Sequence, residues 1–170
     1  MKYKQKVDVV IESLLILLGV VLLLLPILGF YNIKHIFFIV MIIYGFLNLA
    51  QFLLTLKSKD YEGLYTFIVC LSFAIVGISF DFSNPIQLSL SLVAWTFLMC
   101  IIKLVKASYY NDLRDRMYKL RLFTLFIFMV LGVLCSINIY QSPDVQVLIG
   151  FFFFSHGILE TIDPIVKYLI

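Results

Sequence analysis

The chain has 170 residues, of which 63% are hydrophobic and only 14% are charged, and its formal net charge is +3. So few charged side chains cannot give a domain of this length a polar surface, which excludes a soluble globular protein and predicts that lipid covers much of the chain. The small net charge also provides no basic surface for nucleic acid, whereas membrane lipids are expected partners.

Uncharged stretches that are long enough to cross a bilayer predict the membrane spans. Five such stretches cover 13–30, 36–56, 63–80, 82–102 and 122–143. A sixth uncharged run covers 145–159, and apolar residues continue its pattern past Glu160 and Asp163. The expected fold is therefore all-α, a single integral membrane domain over 1–170 with six transmembrane helices.

Three lysines, Lys2, Lys4 and Lys6, precede the first span, as they would in a secretory signal peptide. No small-x-small cleavage site follows them, and the apolar run continues through Pro26. The first span is therefore predicted to stay in place as an anchor helix.

The distribution of basic residues predicts the orientation of the spans. Twelve of the thirteen Lys and Arg residues lie at the two ends of the chain or in the second and fourth connections, and Lys34 lies on the opposite side. Basic residues collect on the cytoplasmic side of a membrane. Both ends of the chain are therefore expected in the cytoplasm.

Two marks recur in alternate spans and predict an internal repeat. The odd spans each carry a glycine at an equivalent place, namely Gly19, Gly77 and Gly132. The even spans each carry a small residue three positions before a polar one, namely Gly45 with Asn48, Cys100 with Lys103, and Gly157 with Glu160. The predicted unit is a helical hairpin, repeated over about 8–56, 63–107 and 116–167. Chance similarity among apolar runs is the alternative.

The first of these hairpins also resembles a known family. The segment 12–22, then Pro26, then the segment 44–48 is similar to the hairpin of HdeD-like proteins, which are small membrane proteins of the bacterial inner membrane. The resemblance implies six spans in three glycine-marked hairpins, a role in acid or envelope stress tolerance, and no agreed biochemical activity. The second hairpin departs from the pattern, because Cys100 stands where a glycine is expected.

Polar residues at membrane depth are the candidates for a functional site, because an unpaired charge near the bilayer centre costs at least ~2.5 kcal/mol. The predicted members of one polar layer in the cytoplasmic half are Glu12, Asn48, Lys103, His156 and Glu160. Lys103 and Glu160 have similar depths in their spans. They are expected to interact with each other, or through Glu12.

His156 and Glu160 are four residues apart and share a helix face, a spacing that can relay protons or bind a cation. The alternative is a hydrogen-bonded packing element, which is the more common role for such a pair. Asp163 and Lys167 repeat the spacing nearer to water, where a surface pair contributes little.

Helix caps are predicted on both sides of the membrane. The segment 111–121 is predicted to extend the fifth helix, with Asn111 as its cap. Its apolar stripe lies beside basic residues and suits contact with anionic lipid heads, while the alternative is a charge cluster that only sets topology. On the other side, Asn84 and Ser142 each precede a proline and are predicted to cap the helices that follow.

The sequence carries no Ser-His-Asp arrangement, phosphate-binding glycine loop or metal-ligand spacing. An enzyme is therefore not expected, and no cofactor or metal is predicted. Residues expected to pack between helices are Cys70, Cys100, Cys135, Tyr44 and Trp95. The first functional hypothesis is a non-enzymatic HdeD-like membrane protein that supports stress tolerance, and the alternative is a small transporter or proton-handling channel.

Overall fold

The computed structural model describes residues 3–29, 33–56, 60–79, 84–112, 117–141 and 145–169. The helices in these ranges are α1 (Tyr3–Leu24), α2 (Ile33–Leu54), α3 (Glu62–Ser79), α4 (Pro85–Asp112), α5 (Met117–Gln141) and α6 (Val145–Leu169). The described part of the chain is thus all-α, as the long apolar runs predict.

Five of the helices are long and apolar enough to cross a membrane, which is the architecture of a multi-pass membrane protein. The sixth predicted run is among them, because α6 continues past Glu160 to Leu169. The shorter apolar helix is α3, whose apolar part is Glu62–Gly77.

The first helix starts earlier and ends earlier than the predicted span. Because α1 begins at Tyr3, Lys4 is helical and lies on the same element as the apolar run. The helix ends at Leu24, just before Pro26, which has no N–H with which to continue it. Gly29 closes the following turns with its N–H donated to the carbonyl of Pro26, and its φ of +81° lies in the left-handed region that favours glycine.

The predicted cap at Asn111 is wrong, because Asn111 belongs to the last turn of α4 and α5 begins at Met117. The helix α4 continues past its uncharged segment because Lys103 and Lys106 pair with carboxylates inside the bundle and Ala107 is buried. These ion pairs and the burial of Ala107 therefore keep the charged part of α4 helical and within the bundle. Residues 113–116 of the predicted amphipathic segment lie outside the described residues.

The predicted cap at Asn84 is confirmed. The side-chain carbonyl of Asn84 accepts a hydrogen bond from the N–H of Ile86 at 3.0 Å, and Pro85 is the first residue of α4. The equivalent prediction for Ser142 falls outside the described residues.

The most extensive helix packing pairs α1 with α6, α2 with α3, and α4 with α5. Glycines line these three contacts. In the first pair, a Cβ added to Gly19 would collide with the backbone of Phe154, and one added to Gly157 would lie 2.8 Å from the nitrogen of Ile16. In the other two pairs, a Cβ on Gly63 would lie 2.5 Å from the carbonyl of Asn48, and one on Gly132 would collide with Thr96. The helices therefore approach closely where the small residues lie.

An aromatic layer fills the middle of the bundle. It consists of Tyr44, Trp95, Phe128, Phe152, Phe153 and His156, all of which are buried. Trp95 makes edge-on contacts with Tyr44 and Phe152 at centroid distances of 5.8 Å. The prediction that Tyr44 and Trp95 pack between helices is confirmed, as it is for the buried Cys70 and Cys135.

Candidate functional site

Charged side chains converge at the end of the bundle where α1 begins. This charged cluster consists of Lys4, Asp8, Glu12, Asp60, Glu62, Lys103, Lys106, Arg121, Glu160 and Asp163, each only partly exposed. Helical spacing explains part of the convergence, because residues three or four positions apart share a face. Lys4, Asp8 and Glu12 are successive fourth residues on α1, and Lys103 and Lys106 are one turn apart on α4.

Lys103 joins three helices. Its ammonium donates to Oε1 of Glu160 on α6 and lies 3.6 Å from Oε1 of Glu62 on α3. The Lys103 side chain is 12% exposed, and the two carboxylates are little more exposed. Because water screens these charges weakly, their mutual attraction offsets the cost of removing each from water.

Lys106 extends the network to the connection between α2 and α3. Its ammonium donates to Glu62 and lies 2.9 Å from Oδ2 of Asp60, which also accepts from Lys4. Burial raises the pKa of Asp60, but the charges of Lys106 and Lys4 outweigh this effect and hold the pKa below its ordinary value. Asp60 also accepts a hydrogen bond from the N–H of Glu62 at 3.2 Å, at the start of α3.

A further ion pair joins α5 to α6. A guanidinium nitrogen of Arg121 lies 2.5 Å from Oδ2 of Asp163, and both side chains are at most 15% exposed. Asp163 therefore faces the bundle interior in this pair. The predicted surface pair with Lys167 is not tested, because the Lys167 side chain lies outside the described residues.

The helix α2 contributes neutral polar groups to the same region. The side-chain amide of Gln51 donates to Asp8 on α1 at 2.8 Å. Asn48 is 8% exposed and donates its amide N–H to the carbonyl of Tyr44 at 2.9 Å, an interaction within its own helix. Both side chains lie at the same end of the bundle as the charged cluster.

A small inner cavity lies within the charged cluster. Its acidic lining residues are Asp8, Glu12, Glu62, Glu160 and Asp163. Its basic lining residues are Lys103, Lys106 and Arg121. Tyr44, Asn48, Gln51 and Thr66 add neutral polar residues to the lining. The cavity is therefore a polar chamber whose walls carry more negative than positive groups.

His156 connects the charged cluster to the aromatic layer. Its Nε2 is 3.0 Å from the hydroxyl of Tyr44, and its Nδ1 is 3.5 Å from Oε1 of Glu160. The ring is 1% exposed and packs on Phe128 at a centroid distance of 4.6 Å. The shared helix face of His156 and Glu160 predicted from their spacing is thus present, and Tyr44 is the partner that the spacing does not reveal.

The structure brings the predicted polar layer together in part. Lys103 and Glu160 are in direct contact, as expected from their depths. Glu12 and Asn48 line the same cavity, where Glu12 forms no ion pair with Lys103 and the Asn48 amide donates to the carbonyl of Tyr44 instead. His156 lies one helical turn deeper than Glu160, against the aromatic layer.

Sequence reasoning missed seven of the ten members of the charged cluster. They are Lys4, Asp8, Asp60, Glu62, Lys106, Arg121 and Asp163, the last of which the sequence assigns to a surface pair with Lys167. One signal was available, since Lys106 follows Lys103 by one turn and shares its face. For Asp60 and Glu62 the sequence offers no signal, because residues beside a span are equally suited to the water interface.

Comparison of the chain with protein-family models, with curated proteins and with solved structures gave no match. Among the described residues, no group of three or more His, Cys, Asp or Glu side chains is arranged to hold a metal ion. The chemistry of the site therefore has to be argued from its own contacts.

Proposed function

We propose that the chain crosses the membrane six times, with both ends in the cytoplasm. The contact of Glu62 with Lys103 and Lys106 supports this for the short helix α3, because it sets the start of α3 at the depth of the charged part of α4. The excess of basic residues on one side supports the orientation. The charged cluster would then lie in the cytoplasmic half of the membrane.

The helix pairs support a threefold arrangement of the hairpins. In each of the three most extensive contacts, the even helix of one predicted hairpin packs on the odd helix of the next, and α6 returns to α1. Such a closed pattern is expected of three equivalent units around an axis. The small residues Gly45 and Gly157 support it further, since each faces the odd helix of the following hairpin.

The function best supported is that of a non-enzymatic membrane protein that contributes to acid or envelope stress tolerance in the bacterial inner membrane, as the HdeD-like resemblance implies. One observation supports the structural part of this proposal, namely a bundle that is held closed. The cations of the cluster, Lys4, Lys103, Lys106 and Arg121, each pair with a carboxylate from another segment of the chain. Together with the bond from Gln51 to Asp8, these pairs join all the described helices at one end. The cluster is then a clamp that keeps the bundle closed.

The aromatic layer agrees with a closed bundle. Trp95, Phe152 and Phe153 have no exposed surface and lie next to His156. Large side chains that are buried against one another in this way leave little room for a solute. The clamp and this layer together favour a sealed protein over an open conduit.

A second function, a proton-handling channel or small transporter, is favoured by one specific contact series. Nε2 of His156 lies 3.0 Å from the Tyr44 hydroxyl, and its Nδ1 lies 3.5 Å from Oε1 of Glu160, beside the cavity. A proton could pass along this series if the contact with Glu160 shortened to hydrogen-bond distance.

Purified protein in sealed vesicles with an imposed pH gradient separates the two functions. A sealed structural protein leaves the gradient as stable as in protein-free vesicles. A proton conduit collapses the gradient, and a His156→Gln variant of the conduit leaves it stable again.

The stress role is tested in cells that lack the gene. Survival after acid challenge should return with the wild-type protein and with an exposed-site variant such as Lys119→Ala, and should not return with Lys103→Ala.

A further inference from the structure

Three aromatic side chains from alternate helices meet within the aromatic layer. They are Tyr44 on α2, Trp95 on α4 and Phe153 on α6, and together they are called the aromatic triad. The ring centroids of Tyr44 and Trp95 are 5.8 Å apart, those of Trp95 and Phe153 5.7 Å, and those of Tyr44 and Phe153 6.2 Å. Each of the three residues is at most 4% exposed. Because every ring contacts the other two, the triad closes the space between the three even helices.

The inner face of α6 carries polar residues on both sides of the triad. Gln146, Ile149, Phe153, His156 and Glu160 follow one another at alternating intervals of three and four residues, which places them on one face of the helix. The first four of them are at most 5% exposed. Glu160 lines the inner cavity, whereas Gln146 lies in the first turn of α6, at the other end. At 1.5 Å per residue, Gln146 is about 10 Å beyond Phe153 on the side away from the cavity.

Gln146 is a buried polar residue whose side chain is unsatisfied. It is 5% exposed, and within the described part of the chain neither its amide nitrogen nor its amide oxygen has a hydrogen-bond partner. Leaving such a group unpaired costs free energy, and an amide that both donates and accepts is suited to holding water. Polar groups that face the interior of a membrane bundle mark ion and proton pathways.

The cavity side of the triad presents a second unsatisfied group. Among the described residues, Nδ1 of His156 has no hydrogen-bond partner. The His156 ring contacts the rings of Tyr44 and Trp95, at centroid distances of 5.6 and 5.9 Å. Glu160 and the inner cavity follow on the side away from the triad. The triad therefore separates two polar ends that each have unused hydrogen-bonding capacity.

We propose that the aromatic triad is the closed gate of a proton path that runs from the inner cavity, through His156, to Gln146. The proposal rests on the second function given above, the proton-handling one, and adds the point at which the path is shut. A narrow apolar segment blocks ions while it is free of water and conducts once water fills it. Ile149 has no exposed surface and extends the apolar segment from Phe153 towards Gln146. A closed gate explains why the bundle is sealed although polar groups lie on both sides of it.

The groups at the two ends suit a proton rather than a larger solute. On the cavity side, the carboxylate of Glu160, the imidazole of His156 and the hydroxyl of Tyr44 can each gain and lose a proton. On the other side, the amide of Gln146 has no proton to titrate, and it acts by holding the water that carries the proton onward. Each passage takes up one proton at one end and releases one at the other, so the side chains return to their starting states.

Opening the gate by substitution tests the proposal. The full-length protein is reconstituted into sealed vesicles with an imposed pH gradient, and a potassium flux through valinomycin balances the charge. Phe153→Ser combined with Ile149→Ser shortens two apolar side chains and makes the segment polar enough to admit water. Proton flux should rise at least about tenfold over the wild type, which corresponds to a barrier lowered by about 1.4 kcal/mol. The control is Phe151→Ser, at an exposed phenylalanine of the same helix, and it should hold the gradient as the wild type does.

A further substitution in the opened protein shows whether protons follow the proposed path. Adding Gln146→Leu or His156→Phe should return the flux towards the wild-type level, because each removes the polar group on one side of the gate. A hole made only by lost packing conducts whether or not these two side chains are present. Such a hole also releases a trapped dye, for which carboxyfluorescein is the probe, whereas the opened gate retains the dye.

Three results overturn the proposal. The first is an opened variant that unfolds cooperatively in detergent, and is therefore folded, yet holds the gradient as the wild type does. The second is a flux that neither Gln146→Leu nor His156→Phe lowers, or that is accompanied by dye release. The third is a wild type that collapses the gradient unaided, which would confirm proton conduction and exclude a closed gate, so the two proposals fail separately. Should the double variant not fold, Ile149→Ser and Phe153→Leu are tested singly by the same criteria.

Discussion

Lys103 on α4 and Glu160 on α6 form an ion pair although 57 residues separate them in the chain. Both side chains are largely shielded from water, at 12% and 22% exposure. They also hold corresponding places in the second and third proposed hairpins. The pair therefore provides a direct test of the cross-helix clamp.

A double-mutant cycle on this pair should show coupling. Lys103→Ala and Glu160→Ala are each expected to lower the free energy of unfolding, and the double variant should lose less than their sum by about 1–3 kcal/mol. Thermal or denaturant unfolding in detergent gives the values. A parallel cycle of the exposed Lys119→Ala with Glu160→Ala should be additive. Additivity within ~0.5 kcal/mol for the first cycle would contradict the pairing.

The sequence predicts the pair of Lys103 with Glu160 but not the pair of Arg121 with Asp163, and the reason is physical. Depth along a helix can be counted from the residues at 1.5 Å each, and this places Lys103 and Glu160 at one level. Direction around the helix is harder to predict, because spans that are apolar on all sides carry a weak periodic signal. Asp163 has a basic residue four positions later, so a local pair with Lys167 was expected, whereas the structure pairs it with Arg121 on α5.

The same limit applies to the fold. Long uncharged runs predict that helices exist and approximately where they lie, which holds for all the described elements. They do not predict where a helix ends once charged residues begin, and Asn111 shows this, since α4 includes it. The uncharged runs also do not predict which helices pack together. The helix that packs most extensively on α1 is α6, at the opposite end of the chain.

Replacement of Gly157 tests the close approach of α1 and α6. A Cβ at this position would lie 2.8 Å from the backbone nitrogen of Ile16, which cannot move without shifting the helix. Gly157→Ala should therefore destabilise the protein by about 1–3 kcal/mol through overpacking, beyond the gain of up to ~1 kcal/mol in helix propensity.

The control for Gly157 is Gly29→Asn. No atom lies within 4 Å of a Cβ at Gly29, and its φ of +81° is one that asparagine tolerates. Little change in Tm is expected there. A loss at Gly29 as large as at Gly157 would contradict the packing role of Gly157.

Asp60 should make the stability depend on pH in the acid range. Because Lys106 and Lys4 hold its pKa below the ordinary value, Asp60 stabilises the folded protein above the unfolded pKa of about 3.9. This stabilisation is lost as the pH falls from there through the lower pKa of the folded state. Asp60→Asn should lower the Tm at neutral pH and flatten its fall in acid. An unchanged pH profile in the variant would exclude Asp60 as a contributor.

Topology can be measured with reporters fused after Ile170 or inserted within 113–116. Both sites should report the cytoplasm, because twelve of the thirteen basic residues are assigned to that side. An insertion within 81–83 should report the opposite side and serves as the control. A non-cytoplasmic signal after Ile170, with a cytoplasmic signal within 113–116, would mean that α6 does not span.

The contact of Tyr44 with His156 predicts a specific cost for removing one hydroxyl. His156 is 1% exposed, its Nδ1 has no hydrogen-bond partner within the described residues, and its Nε2 lies 3.0 Å from the Tyr44 hydroxyl. Tyr44→Phe removes that partner and leaves the buried ring nitrogen unsatisfied, which should cost about 1–3 kcal/mol. The volume of the ring is unchanged, so the packing on Trp95 is retained.

In a His156→Phe background the same substitution should cost less than ~0.5 kcal/mol, because no nitrogen remains to be satisfied. The exposed Tyr65→Phe is the matched control and should leave the free energy of unfolding unchanged. Equal costs of Tyr44→Phe in the two backgrounds would mean that the Tyr44 hydroxyl stabilises the fold through something other than His156.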